Sequence, residues 1–265
     1  MKKIHKKNLF SPQKKIKFGI IGCGRIFSKH YEIFLRKIIP NIELIAISDI
    51  KKTKLKQIKD PNLIKSENYK DLLKIKEINT IIILTESGNH YKIAKNALLS
   101  NKNIIVEKPL CLKIKEALEL VQISKKHQKK IFVIMQNRFN NPIQIAKKYI
   151  NKNKFGKIVS ITSRVRWSRN QKYYNQAPWR GTWKYDGGAL TNQGIHHIDL
   201  MYYLGGKVSE TFAYSSKRLA KIKTEDTAVA VLKFKNGALG TLEVTTATRP
   251  RDLEGSISIL GEKGS

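Results

Sequence analysis

The sequence is short of cysteine, of acid and of long apolar runs, and each shortage removes a class of protein. Among its 265 residues there are two cysteines, Cys23 and Cys111. That is too few for a disulfide framework and fits a reducing compartment. No stretch approaches the roughly 18 consecutive apolar residues of a membrane-spanning helix. The first apolar segment, Ile16 to Ile21, is too short for the core of a secretion signal and ends in glycines. A cytoplasmic protein with no membrane insertion is the expectation. Acidic residues number 20 against 52 Lys+Arg, a formal charge of +32. Gathered into a patch, such an excess would be the footprint of a nucleic-acid binder. Here 42 Lys and 10 Arg are scattered through every segment. No helix-turn-helix, zinc finger or aromatic-studded strand accompanies them. The charge therefore reads as a solvated lysine surface with no specific nucleic-acid partner, able to draw anionic substrates inward. No metal site is expected.

What is present is a foldable chain. Apolar residues make up 41% and charged residues 27%, the mixture of a globular protein long enough for one large domain or two ordinary ones. Residues 1–15 carry six lysines and no apolar period and read as a basic tail. Beyond them, short β-rich runs (Ile16–Ile21, Ile42–Ser48, Thr80–Leu84, Asn103–Val106, Lys130–Met135) alternate with helical patterns (Ile26–Ile38, Tyr69–Lys74, His90–Leu99, Lys113–His127). Continuous apolar strands between helices predict a doubly wound parallel sheet of Rossmann type, covered on both faces, over residues 16–137. From 138 to 265 the pattern changes. A helix (Ile143–Ile150), a strand (Lys157–Ser168), a glycine-hinged helix (Ala189–Leu204) and strands at Val208–Ser216, Thr227–Lys235, Ala238–Thr246 and Gly255–Leu260 predict an α+β domain with a mostly antiparallel sheet. Asn236-Gly237 marks a hairpin turn. The overall class is α/β.

Where the first strand becomes the first helix stands Gly22-Cys23-Gly24-Arg25-Ile26. Two glycines there permit a tight turn and let backbone N–H groups approach a pyrophosphate. The third glycine of the dinucleotide fingerprint is replaced by Phe27. Context strengthens the weak motif: Asp49 ends the second strand, 25 positions after Gly24. An acid at that place accepts from the ribose 2′-hydroxyl and repels a 2′-phosphate, so NAD is expected in preference to NADP, although Lys51 and Lys52 follow directly.

Glu107-Lys108-Pro109 follows the strand at Asn103, at the sheet edge where open α/β folds bind ligands. With the glycine turn, this motif resembles the glucose–fructose oxidoreductase / inositol dehydrogenase family (Gfo/Idh/MocA). The run Asp186-Gly187-Gly188-Ala189-Leu190-Thr191-Asn192-Gln193-Gly194-Ile195-His196-His197 is similar to that family's glycine-rich entry to a helix carrying Asp-x-x-x-His. The resemblance implies NAD bound by Gly22, Gly24, Arg25, Ile26, Asp49, Thr85, His90, Glu107, Lys108 and Gln136. It implies Lys108 and His196 as the catalytic pair, with Lys108 contacting both the reacting hydroxyl and the nicotinamide ribose. Spacing of i, i+4 would put Asn192 and His196 on one helix face, and a histidine suits proton transfer. His197 would point about 100° away. Asn192 stands where the family usually has Asp, and an amide cannot share a proton.

Gln136 to Asn140, Arg166 to Tyr174, Pro178 to Trp183 and Arg249 to Ser256 narrow the resemblance to the branch of that family oxidising the 3-hydroxyl of UDP-N-acetylglucosaminuronate for surface polysaccharides. Five arginines between Arg138 and Arg180, in a chain that otherwise prefers lysine, offer forks for carboxylate and phosphate. Arg166, Tyr174, Arg180, Asn192, Gln193, Lys108 and His196 are the expected substrate contacts. A relative acting on another sugar or cyclitol, and a non-catalytic dinucleotide binder, are the alternatives. Relatives continue beyond the final Gly-Glu-Lys-Gly, so a truncated second domain is expected. The resemblance also implies a homo-oligomer, dimer or tetramer.

Overall fold

Five short apolar segments and one polar edge strand, most flanked by polar turns, form the first sheet of the computed structural model, which describes residues 15–265. The basic tail expected at the N-terminus lies, up to residue 14, outside the described residues. Along the chain come β1 (Ile16–Ile21), α1 (Phe27–Leu35), β2 (Ile42–Ser48), α2 (Lys52–Gln57), β3 (Ile64–Ser66), α3 (Tyr69–Lys74), β4 (Thr80–Ile83), α4 (Ser87–Leu99), β5 (Asn103–Glu107), α5 (Ile114–Lys126) and β6 (Ile131–Ile134). The sheet order is β3-β2-β1-β4-β5-β6, with β1 parallel to both β2 and β4. The chain thus reverses its direction of winding between β1 and β4, the crevice where such sheets take their ligands. Ile20, Ile47, Ile81, Ile83 and Ile104 are fully buried, as two-sided coverage requires. Two elements carry no sequence signal long enough to read: α2, which buries only Leu55, and the edge strand β3.

A 3-10 turn (Gln136–Phe139), α6 (Asn141–Asn151), β7 (Ile158–Arg166), α7 (Gln171–Tyr174), a π-wound turn (Leu190–Gly194), α8 (Ile195–Gly205), β8 (Val208–Ser216), β9 (Thr227–Phe234), β10 (Leu239–Thr245) and β11 (Glu254–Gly261) follow. The second sheet has the order β11-β7-β10-β9-β8 and is mixed: β7 runs parallel to β10, and the other pairs are antiparallel. Alternation sorts its faces. Ile161, Ser163 and Val165 on β7 and Gly240, Leu242 and Val244 on β10 point inward, against Leu200, Met201 and Leu204 of α8. Helix and sheet approach closely because Gly205 lacks a side chain; a Cβ there would lie 2.4 Å from Ile161 Cδ1. The Asn236-Gly237 hairpin forms as read, with Gly237 at φ +86 and the Asn236 side chain accepting from Ala238 N.

The glycine-hinged helix differs from its expectation. Its first turn is π-wound, and regular α-helix begins only at Ile195. An i→i+5 turn is wider than 3.6 residues, so the i, i+4 argument for Asn192 and His196 does not hold across it. The described residues cluster into two units. One is the chain up to Thr85 with Ile93–Ile105 and Val121–Ile131; the other is Glu86–Lys92, Val106–Leu120 and Phe132–Ser265. Lys108 and His196 therefore share a unit, although 88 positions apart in sequence.

Candidate functional site

In the first unit the glycine turn is shaped by the strand ends around it. Gly22 has φ +100, and a Cβ there would lie 2.8 Å from the Leu84 carbonyl and 3.0 Å from Thr85 N. Its N–H donates to Ser48 O at 2.8 Å. Gly24 is different: nothing stands within 4 Å of where its Cβ would be. Arg25 is exposed, and Ile26 packs against the core beside Phe27. No side chain caps α1, and its first turn holds no acid. Phe27 N and Lys29 N bond back to the Gly24 and Ile26 carbonyls, but the positive dipole end of the helix faces no capping side chain or acid of its own, as an anion would need. A pyrophosphate fits such a turn, and these residues suit a dinucleotide.

Asp49 sits where expected but is already engaged. It is buried and accepts from Cys23 N at 2.8 Å, Lys51 N at 2.9 Å and Lys54 Nζ at 3.1 Å. The carboxylate thus ties the glycine turn to the end of β2. Cys23 is inert, its thiol pushed up to about 12 chiefly by burial. Gly22→Ala should cost about 1–3 kcal/mol in backbone strain alone, before its clash with the Leu84 backbone. A urea melt and NAD titration should show lower stability and weaker binding, and unchanged values for both would remove the turn from the site.

In the second unit, β5 delivers Lys108. Its Nζ donates to Asn192 O at 2.6 Å and to Asn192 Oδ1 at 3.2 Å. Asn192 in turn donates through Nδ2 to the Asp186 carboxylate, which also accepts from Gly181 N at 2.6 Å. Asp186 is 2% exposed, and burial pushes its carboxyl up, opposed by these bonds and by nearby Arg180 and Lys108. His196 is buried beside them, its Nε2 lying 3.3 Å from Gln136 Nε2 and its Nδ1 without a hydrogen-bond partner among the described residues. Burial, then the Lys108 charge, push it down to about 4. The ring is neutral at pH 7 and can accept a proton. His197 turns elsewhere, its ring edge against Trp167.

Several expected contacts have other employment. His90 is 1% exposed, and its Nδ1 lies 2.7 Å from Pro109 O, so it holds the Glu107–Pro109 loop from beneath and presents no surface to a cofactor. Tyr174 is a core residue, with its hydroxyl on Thr246 at 2.9 Å and its ring against Ala220 and Ile222. The neighbouring Tyr173 is the one that reaches Gln193, at 3.1 Å. Both sides of the Arg166 fork are closed by Glu243, at 2.7 and 2.6 Å, with Glu254 at 3.4 Å. The strands on either side of β7 bring these carboxylates in, Glu254 directly opposite Arg166 and Glu243 two residues along, opposite Arg164, and a short-range view of the sequence could not see them. Arg180 lies over the rings of Tyr173 (4.2 Å) and Trp179 (4.7 Å), and its buried Nε has no hydrogen-bond partner among the described residues.

Two further groups have partners that the sequence did not reveal. Arg138, read as one of five forks for a ligand's carboxylate or phosphate, grips Asp199 of the protein itself through Nε (2.7 Å) and Nη2 (2.5 Å), fastening the 3-10 turn that carries Gln136 to α8. Asp186 is the other; in one dimension it only opens the glycine run of the family motif.

The two sheets, the glycine turn and the grouping of a half-buried lysine and amide with a buried histidine define an NAD-binding oxidoreductase. Residues 16–135 match the oxidoreductase family with NAD-binding Rossmann fold, and residues 143–265 match the GFO/IDH/MocA C-terminal domain. The chain belongs to the Gfo/Idh/MocA family. It is 36% identical to the WlbA dehydrogenase of Chromobacterium violaceum, solved with NADH and UDP-GlcNAcA; the match covers 95% of this chain and 73% of that one, with a TM-score of 0.90. The Bordetella pertussis WlbA dehydrogenase, solved with the same two ligands, is 35% identical over 94% of this chain and 75% of its own, with a TM-score of 0.89. Myo-inositol 2-dehydrogenase of Thermotoga maritima is 27% identical over 94% of this chain and 74% of its own length.

Proposed function

We propose that this chain oxidises the 3-hydroxyl of UDP-N-acetylglucosaminuronate with NAD, in the synthesis of a surface-polysaccharide sugar. The observation that carries the reading is the meeting of Lys108 with Asn192 in one unit with a neutral, buried His196. It is supported by 36% identity to a dehydrogenase solved with that nucleotide sugar. His196 takes the hydroxyl proton, the hydrogen on the same carbon leaves as hydride, and a ketone forms. Lys108 lies by the oxygen and stabilises the negative charge that grows there as the proton departs. NAD, held at Gly22, Gly24 and Asp49, supplies the hydride acceptor when bound. Arg180 is a better candidate than Arg166 for the substrate's anionic groups, because its Nε lacks a partner while the Arg166 fork is filled. Gln193 completes the contact set through Tyr173.

The test is incubation with NAD and UDP-N-acetylglucosaminuronate, followed by NADH absorbance and mass spectrometry for a 3-keto product. Myo-inositol and glucose 6-phosphate serve as competitors, since inositol dehydrogenases are also among the relatives. Turnover of the cyclitol with none of the nucleotide sugar would replace this substrate assignment. No turnover of any would favour a dinucleotide-binding protein without catalysis.

A homo-oligomer belongs to the same reading. The outer face of the second sheet exposes Phe212 (60%), Tyr214 (75%), Val229 (53%), Val231 (54%) and Leu239 (61%). Phe212 pairs with Val231 and Tyr214 with Val229 across β8 and β9, so these four form one apolar patch, with Leu239 on the next strand opposite Lys233. Phe212→Glu with Val231→Glu is expected to convert a dimer or tetramer into monomers by light scattering; an unchanged mass would place the interface elsewhere.

A further inference from the structure

Lys108 can only donate and an ionised carboxylate can only accept. Between these two stands an amide with one end of each kind. Asn192 Oδ1 accepts from Lys108 Nζ at 3.2 Å, and Asn192 Nδ2 donates to Asp186. Turning the amide over would set its NH2 against the ammonium and its oxygen against the carboxylate. Two bonds would be lost and two repulsions made, one of them against the buried Asp186 carboxylate.

We propose that Asp186 is a positioning residue for the reaction: its carboxylate locks the Asn192 amide so that the oxygen faces Lys108 and fixes the ammonium at the reacting hydroxyl. The proposal rests on the reading of Lys108 given above. Asp186 is itself held firmly, 2% exposed, with Gly181 N donating at 2.6 Å. The Gly181 carbonyl is engaged in turn by Lys223 N at 2.9 Å, so the loop that carries the donor is anchored. The negative charge that position 192 lacks thus stands one residue further out, connected to Lys108 through a polarised amide.

Substituting the residues singly and together tests the proposal. Asp186→Asn offers Asn192 a partner that can donate or accept, so either amide orientation is satisfied. Its kcat should fall on the order of 10- to 100-fold, the same size of loss as when the outer partner that orients a metal ligand is removed. KM for the sugar and Kd for NAD should stay close to wild type. Asn192→Asp alone should also lose kcat, because a second carboxylate would then face the buried Asp186. The exchange Asp186→Asn with Asn192→Asp should recover most of the activity. The carboxylate then at position 192 accepts from Lys108 directly, and the amide then at position 186 donates to it. A structural role alone would give no such recovery.

An exchange variant that folds but does no better than Asp186→Asn overturns the proposal. Wild-type kcat in Asp186→Asn, measured beside an inactive Lys108→Ala, overturns it alone and leaves the reading of Lys108 standing. A fully active Lys108→Ala overturns both. Should Asp186→Asn not fold, Asn192→Asp decides: an unchanged kcat overturns the proposal, and a loss restored in the exchange variant supports it.

Discussion

Lys108→Ala should lower kcat by about a thousandfold, and His196→Asn by about a hundredfold or more, while NAD still binds. The lysine loss is expected to be the larger because it removes a positive charge from the half-buried position where charge develops on oxygen. Its Nζ is also bonded to the Asn192 carbonyl at 2.6 Å, inside the π-wound turn, so some stability will go with it. A thermal melt and an NAD titration of each variant separate the two effects: folded protein with near-normal NAD affinity and lost turnover is the expected pattern. Turnover at the wild-type rate in His196→Asn would transfer the proton-accepting role to another group.

Acid should destabilise the fold through the same histidine. Its folded pKa is depressed to about 4 from 6.5 by burial and by Lys108. Above pH 6.5 the ring is neutral in both folded and unfolded chains, and the stabilisation is fully present. As pH falls towards 4 the unfolded chain takes the proton first, and that stabilisation is lost. The shift corresponds to on the order of 3 kcal/mol. His197, also lowered by burial, acts in the same direction. Asp186 and Glu225, whose carboxyls burial raises, act oppositely: their contribution is present at low pH and fades as pH rises. The clean measurement is therefore a difference. Urea midpoints of wild type and His196→Gln, compared from pH 7 to 4.5, should converge as pH falls. Parallel curves would mean that the ring titrates normally.

The Arg138 clamp should act through Gln136 rather than on the substrate. Arg138→Lys keeps the charge but loses the two-pronged grip on Asp199. A fall in kcat without a change in KM is expected, and an unaltered kcat would make the clamp a purely structural tie.

Much of this protein was legible as pattern because local chemistry decided it. Continuous apolar runs such as Thr80 to Ile83 become buried parallel strands, since no polar face is available to leave in water. Gly22 marks a turn because any side chain would strike the backbone just past β4. Asn236-Gly237 closes a hairpin through its own backbone preference. The family resemblance carried by Glu107-Lys108-Pro109 and by the run into His196 came from the same local strings.

What only the tertiary structure decided is which side chains remain for chemistry. Arg166 and Tyr174 look like ligand contacts in one dimension. Glu243, Glu254 and Thr246 claim them once distant strands and loops come alongside. His90 becomes a support under a loop 19 positions away. The π-wound turn replaces an assumed regular helix and leaves Asn192 between Lys108 and Asp186, a relation that no spacing rule contains. The physical reason is common to all four. A hydrogen bond or ion pair is settled by which partner arrives within about 3 Å. Chain order sets the candidates, and folding sets the distances.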